Sequence, residues 1–314
     1  MKIIIKIVLV LFIVILAPLL KGGAGGGLLF AQQDVQYSQH MFNQLALNPA
    51  YAGSKEVLAC SMLYRNQWTG IAGAPTTGAL TVQMPLQKRK IGVGAEILSD
   101  RTGPKNVTAL LFSYAYRLRV GKGMLAAGLR MGVYNYIFDW NKMDYKDQSD
   151  VYNTGNRTSK FTGTGDFGWH YYTRSFYCGM AFTHLNRGKI VASGSDSSAR
   201  QYIHFFIPAG KAFEVGKAVV NPVLLIKGTL NGKPEIDLGV NVLFKDKLWV
   251  GVLGRSGYGL VFLTQFQIND FLKAGYSYDY GVNKIGVAGK GSHEIMIGYD
   301  LNLRNNKMIM PRYL

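Results

Sequence analysis

The sequence predicts an all-β fold: a single transmembrane antiparallel β-barrel of about fourteen strands, preceded by a short helical or coil segment. The first observation is a succession of runs about ten residues long in which apolar and polar residues alternate, separated by Gly, Asn, Asp, Lys or Pro clusters. The second is that short connectors alternate with longer ones along the chain, as they do in outer-membrane barrels. The third is composition. With 38 Gly, 19 Tyr, 16 Phe, 48% hydrophobic and 17% charged residues, the chain is too apolar for disorder and lacks the bias of helical proteins. A length of 314 residues would ordinarily suggest two soluble domains, but one large barrel fits it equally.

Lys2 and Lys6 precede the apolar run from Ile7 to Leu20, long enough for a signal-peptide core and short for a membrane-spanning helix. Leu28-Leu29-Phe30-Ala31 offers a small residue ahead of Gln32, so residues 1–31 are expected to be an export leader. Residues 32–56 then form a periplasmic or lumen segment, and residues 57–314 the barrel. Within Asp34 to Gly53, Tyr37, Met41 and Leu45 recur every fourth residue, and Asn48-Pro49 forces a turn. After Gln32 no stretch approaches the roughly 18 apolar residues of a spanning helix, so any crossing must be made by strands.

The expected strands are Val57–Trp68, Gly78–Pro85, Lys90–Leu98, Val107–Leu118, Met124–Phe138, Gly165–Tyr172, Ser175–His184, Gln201–Pro208, Val219–Gly228, Glu235–Phe244, Leu248–Gly254, Gly259–Ile268, Phe271–Tyr280 and His293–Leu303. In the tenth, Ile236, Leu238, Val240, Val242 and Phe244 share one face, and Glu235, Asp237, Gly239 and Asn241 the other. In the last, Ile295, Ile297, Tyr299 and Leu301 oppose Glu294, Gly298, Asp300 and Asn302. One face suits lipid and the other water. The short connectors are Leu86–Arg89, Arg119–Gly123, Thr173–Arg174, Ala209–Ala218, Lys245–Lys247 and Asn269–Asp270, of which only the fourth is not tight. The interleaved set includes Thr69–Thr77, Ser99–Asn106, Asp139–Thr164, Leu185–Arg200 and Gly281–Ser292. Tyr64, Trp68, Tyr134, Tyr136, Trp140, Tyr171, Tyr172, Tyr276, Tyr278 and Tyr280 lie near strand ends and suit interfacial girdles.

Lys and Arg number 35 against 18 Asp and Glu, a formal charge of +17. The short connectors are strongly basic, with Lys88, Arg89 and Lys90 the densest group. That patch suits anionic head groups of the outer-membrane lipid or an acidic periplasmic protein. Nucleic acid is not an expected partner, because the basic residues lie in turns without an aromatic-flanked recognition motif. Cys60 and Cys178 cannot form a disulfide framework or a four-thiolate metal site. Gly163-x-Gly165-x-x-Gly168 matches a dinucleotide fingerprint by letter, but Trp169-His170-Tyr171-Tyr172 continues as a strand where the fingerprint needs a helix. No pair among His40, His170, His184, His204 and His293 has metal spacing, and adjacent Ser292-His293-Glu294 point to opposite faces of a strand. No enzyme activity, cofactor or metal is therefore expected.

Asp34-Val-Gln-Tyr-Ser-Gln-His-Met-Phe-Asn and Leu47-Asn48-Pro49-Ala50-Tyr51-Ala52-Gly53 resemble the start of the PorP/SprF family of Bacteroidota outer-membrane proteins. Tyr64-Arg65-Asn66-Gln67-Trp68, Gly73-Ala74-Pro75-Thr76-Thr77, Tyr276-Ser277-Tyr278-Asp279-Tyr280 and Ser292-His293-Glu294-Ile295 are similar to further family motifs in the same order. The resemblance implies a barrel of the type IX secretion system, delivering or holding large adhesins with a C-terminal sorting domain. It also implies roles in gliding motility or beside the periplasmic ring. Asn48, Pro49 and Tyr51 are then either partner contacts or turn formers. Arg65, Trp68, Asp279, His293 and Glu294 form a lumen or structural set, in which Arg65 could neutralise Asp279 or Glu294. A passive channel or apolar-solute transporter is the rival reading, since a barrel of this size has a lumen. The segment Asp34–Gly53 decides between them, because folded inside it would plug the pore.

Overall fold

The computed structural model describes residues 34–86, 90–143, 156–190 and 199–302. The expected leader, residues Lys88 and Arg89, and parts of the connectors after Asp139 and Leu185 lie outside the described residues. The strands are β1 (Leu58–Asn66), β2 (Thr76–Leu86), β3 (Ile91–Thr102), β4 (Lys105–Val120), β5 (Gly123–Asp139), β6 (Arg157–Tyr172), β7 (Phe176–Thr183) and β8 (His204–Lys211). They continue with β9 (Phe213–Val215), β10 (Ala218–Thr229), β11 (Glu235–Phe244), β12 (Leu248–Arg255), β13 (Gly259–Gln267), β14 (Leu272–Gly281) and β15 (Ser292–Leu301). Among the described residues one short α-helix, α1 (Lys284–Ala288), sits in the connector between β14 and β15.

Each strand pairs antiparallel with its neighbour, and the ring closes where β1 meets β15, from Leu58 opposite Leu301 to Asn66 opposite His293. β9 resumes β8 after a break at Ala212, and both pair with β10, so the closed wall has fourteen staves. Closure matters physically because it leaves no unpaired edge, the condition for a sheet in hydrocarbon. Among the described residues no helix is long and apolar enough to cross a membrane.

Period-two alternation fixes the two faces. Ile236, Phe244, Ile295, Ile297, Tyr299, Phe112 and Met131 are exposed on the outer wall, whereas Asp237, Asn241, Glu294, Ser113 and Arg130 are buried inside. Tyr64, Tyr276 and Tyr280 are exposed as a girdle requires, but Tyr134, Tyr136 and Tyr172 are buried. Their strand parity turns them into the lumen, where Tyr134 and Tyr136 stack with ring centroids 5.8 Å apart. Cys60 and Cys178 are free, on β1 and β7, which are not neighbours in the ring.

Several connectors differ from the sequence expectation. Ser99–Asn106, expected as a loop, is a two-residue hairpin turn: β3 and β4 run on to Thr102 and Lys105, and Gly103 supplies the left-handed φ of +54° that the tight turn needs. Ala209–Ala218, expected as the loose member of the short set, is strand on both sides of the tight turn Gly216-Lys217. β6 begins at Arg157 rather than Gly165, and with β4 and β5 it makes the wall tallest on one side, at 16, 17 and 16 residues.

Candidate functional site

The lumen is occupied by the chain's own N-terminal segment. It enters at the long-connector end, where the Asp34 carboxylate accepts a hydrogen bond from Thr183 Oγ1 at the close of β7. It leaves at the short-turn end, where the Gly53 carbonyl accepts from the Arg117 guanidinium on β4. In between it forms two 3-10 turns, Gln44–Ala46 and Pro49–Tyr51, instead of one helix. The fourfold spacing of Tyr37, Met41 and Leu45 would align them on one helical face, but here wall surrounds the segment. Met41 packs with Val223, Leu253, Val261 and Leu263, Leu45 and Tyr51 with Ala115, and Tyr37 with Leu63 and Tyr134 among others.

Close approach depends on small wall residues. Pro49 opens its turn with Asn48 as the cap, the Asn48 side chain accepting from the Ala50 amide at 2.9 Å and donating to the Trp169 carbonyl at 2.9 Å. A Cβ at Gly128 on β5 would overlap the Ala50 backbone, and one at Gly92 on β3 would overlap the Ala52 carbonyl. Tyr51 meets His170 edge-on at 5.3 Å between ring centroids. Asn48, Pro49 and Tyr51, weighed from the sequence as partner contacts, are thus buried against the inner wall and present no free surface. Alternating strand faces cannot announce this, because the residues precede the first strand.

Charges hold the other half of the segment. Arg65 reaches Asp279 at 2.7 Å and Glu294 at 3.1 Å. Glu294 accepts from the Ser38 and Gln39 amides at 2.8 Å each, and the Ser38 hydroxyl donates to Asp279 at 2.7 Å. Arg255 extends the network from Asp279 at 3.0 Å to Asp237 at 3.0 Å, and Lys227 joins Asp237 and Glu235. A second centre pairs Arg130 with Asp166 and Glu96 and donates to the Ala46 carbonyl at 3.0 Å. Buried charges are tolerated only when paired and hydrogen-bonded, and here they take their remaining partners from the segment.

The structure therefore brings Arg65, Asp279 and Glu294 together, but not His293 or Trp68. His293 alternates with Glu294 and points to the outer wall, its Nδ1 2.7 Å from the Tyr276 hydroxyl. Trp68 lies past the end of β1 in a left-handed backbone conformation, its amide donating to Ser292 Oγ at 3.1 Å. Gly163 to Gly168 lie within β6, and Asp166 is held by Arg130. The sequence reading placed Asp237 on the water-facing side of its strand but missed Ser38, Glu96, Arg130 and Arg255 as members of the lumen network; for the three charged residues the available signal was a charge at lumen parity, whereas Ser38 precedes the first strand and offered none. At the short-turn end Lys90, Arg119, Lys122, Arg174, Lys211, Lys217, Lys245 and Lys247 are exposed, against Glu214, Asp246 and Asp270.

Between the segment and the wall of β3 to β8, lined by Val35, Glu96, Tyr134 and Phe206 among others, a hollow of about 40 Å³ remains. Such a volume holds only a few waters. A closed fourteen-stave wall with a lipid-compatible exterior and a filled lumen defines a plugged membrane β-barrel of the outer-membrane type. Residues 29–299 match the model of the type IX secretion system membrane protein PorP/SprF, and the chain belongs to that family. No curated protein matches it. Solved structures similar to it include the monoaromatic hydrocarbon channel CymD (11% identity, 86% of this chain and 94% of that one, TM-score 0.49). A Pseudomonas aeruginosa FadL homologue (10%, 81% and 93%, 0.45) and Acinetobacter baumannii Omp33 (8%, 79% and 100%, 0.43) are others.

Proposed function

We propose that this barrel is a non-enzymatic scaffold of the type IX secretion system, binding exported sorting-domain proteins such as adhesins on its long-connector side and periplasmic ring components on its short-turn side. Its service is secretion, surface attachment or gliding motility. The observation that carries this reading against a channel is the filled lumen: the hydrogen bonds that tie the segment to Glu294, Asp279, Arg130, Arg117 and the Trp169 carbonyl cannot be dissolved for each passing solute, whereas a rigid cylinder presents both rims in fixed register. The exposed basic residues of the short-turn rim, Lys90 among them, favour an acidic protein or anionic head groups, and Lys88 and Arg89 directly precede Lys90 in the sequence. Asn48, Pro49 and Tyr51 act indirectly, by fixing the segment.

The test is affinity capture from detergent-solubilised outer membranes with a tag in the connector between β14 and β15, after cross-linking. Recovery of ring proteins or a sorting-domain adhesin supports the scaffold. A parallel capture with Lys88→Glu, Arg89→Glu and Lys90→Glu should lose the periplasmic partners and keep the surface one. Recovery of the barrel alone, together with stepwise conductance in planar bilayers, sinks the scaffold in favour of a channel.

A further inference from the structure

Where the N-terminal segment enters the lumen, three side chains from distant parts of the chain converge: Asp34, His184 just past β7, and His204 at the start of β8. Both histidines are buried, and the ligand atoms of all three residues lie within 4.8 Å of one another. Asp34 Oδ1 is 2.6 Å from His184 Nε2, and Asp34 Oδ2 is 3.6 Å from His204 Nδ1.

The surrounding hydrogen bonds set which nitrogen carries what. Thr164 donates its hydroxyl hydrogen to Asp166 at 3.1 Å, so at its 3.1 Å contact with His184 Nδ1 it accepts, and His184 carries Nδ1–H. The neutral ring then directs a lone pair from Nε2 at the carboxylate. Lone pair against carboxylate is repulsive, so a cation has to stand between them: a proton, or a metal ion. His204 Nδ1 lies 3.0 Å from the Tyr202 carbonyl and therefore carries its hydrogen, so the lone pair this ring offers an ion is on Nε2, which is buried with no partner. One proton on His184 answers the first atom and leaves His204 unsatisfied, whereas an ion accepting electron pairs from both rings and the carboxylate answers all three. His184 also holds a left-handed φ of 58°, the turn that swings its ring inward after β7.

We propose that Asp34, His184 and His204 form a binding site for a first-row divalent transition ion, with Zn²⁺ the physiological class, which staples the N-terminal segment to the mouth of the barrel. Two imidazoles and one carboxylate are the donor set such ions take, with water completing the sphere. Donors about 2.0–2.1 Å from a tetrahedral ion stand about 3.4 Å apart, so the site forms when the Asp34 carboxylate withdraws from His184 by less than about 1 Å and donors standing as far apart as 4.8 Å close by up to about 1.4 Å. The bond from His184 to Thr164, itself tied to Asp166 and Arg130, is the outer support that metal-bound histidines ordinarily have. Binding displaces the proton shared by Asp34 and His184.

The experiment uses the purified full-length barrel in detergent with Co²⁺ as optical probe and Zn²⁺ as competitor. The expected result is a ligand-field absorption band on adding Co²⁺, abolished by Zn²⁺, with affinity reduced about 10²-fold or more in His204→Gln and Asp34→Asn and unchanged in His293→Gln on the outer wall. Heat-modified gel mobility verifies that each variant is a folded barrel. X-ray absorption of the Zn²⁺-loaded wild type should show scattering from two imidazoles, a readout that requires no variant. Absence of the band, equal affinity in His204→Gln and wild type, or a zinc sphere without imidazole each overturns the proposal.

Discussion

Arg65→Met tests the charge network most directly. Arg65 is fully buried, and its side chain makes ion pairs to Asp279 at 2.7 Å and Glu294 at 3.1 Å. Deleting one member of a buried pair costs about 3–5 kcal/mol, because the partner is left as an uncompensated charge. Here the two carboxylates are not equally exposed to that loss. Asp279 keeps Arg255 at 3.0 Å and the Ser38 hydroxyl, whereas Glu294 keeps only the two amides of Ser38 and Gln39. The residual partners place the expected loss at the low end, about 3 kcal/mol, and concentrate it on Glu294. The double variant Arg65→Met/Glu294→Gln should recover part of it, with a coupling of about 1–3 kcal/mol in the cycle. Urea unfolding in lipid vesicles, followed by tryptophan fluorescence, reads the energies, and hydrogen exchange at Ser38 and Gln39 reads the segment. If Arg65→Met unfolds at the wild-type urea concentration with both amides as protected as before, the network does not hold the segment and the reasoning is refuted.

Gly128→Val places a branched side chain where Ala50 now lies, so it should unseat the 3-10 turn at Pro49–Tyr51, cost about 1–3 kcal/mol and raise ion conductance in planar bilayers; unchanged conductance and urea midpoint would count against tight seating. Burial, then the neighbouring Lys273, push the Lys55 ammonium down to about 8 despite Asp300. Above that pH the folded chain has released a proton that the unfolded chain still holds, so stability should rise with pH from about 8 towards the ordinary lysine value, by up to about 1.4 kcal/mol per pH unit. Lys55→Met should flatten that slope, and urea midpoints across the range decide it. Phe112→Lys, on the outer wall midway along β4, should cost about 2–4 kcal/mol in bilayers and far less in detergent. Equal costs in the two media would mean that this face does not meet lipid.

The barrel was legible because each strand carries its own signal. Glu235 to Phe244 and Ser292 to Leu301 alternate apart from Leu243 and Met296 at inward positions and His293 at an outward one, and the structure turns Asp237 and Glu294 inward and Ile236 and Ile295 outward as that alternation requires. Turns were less legible. Nothing local distinguishes Ser99–Asn106 from a loop, since β3 and β4 are prolonged there by their pairing, Asp100 opposite Val107 and Thr102 opposite Lys105. The site was harder still, because its contacts join residues from 150 to 256 positions apart: Asp34 meets His184 and His204, and Ser38 meets Glu294.

The same distance explains why the segment and the wall depend on each other. Glycines 92 and 128 would be costly in a strand that merely faced water, since they add backbone freedom and contribute no side chain to pack. They become necessary once Ala52 and Ala50 run against them. Conversely, Ser38, Gln39, Asn48 and Gly53 would find water in an open pore, and each instead satisfies a wall group, whether Glu294, the Trp169 carbonyl or Arg117. Wall and segment are therefore complementary in shape and share these hydrogen bonds, while Gln39 Oε1, Asn43 Nδ2 and Gln44 Oε1 stay buried without a partner. On the scaffold reading proposed above, such a filled lumen leaves the two rims as the surfaces available to partners.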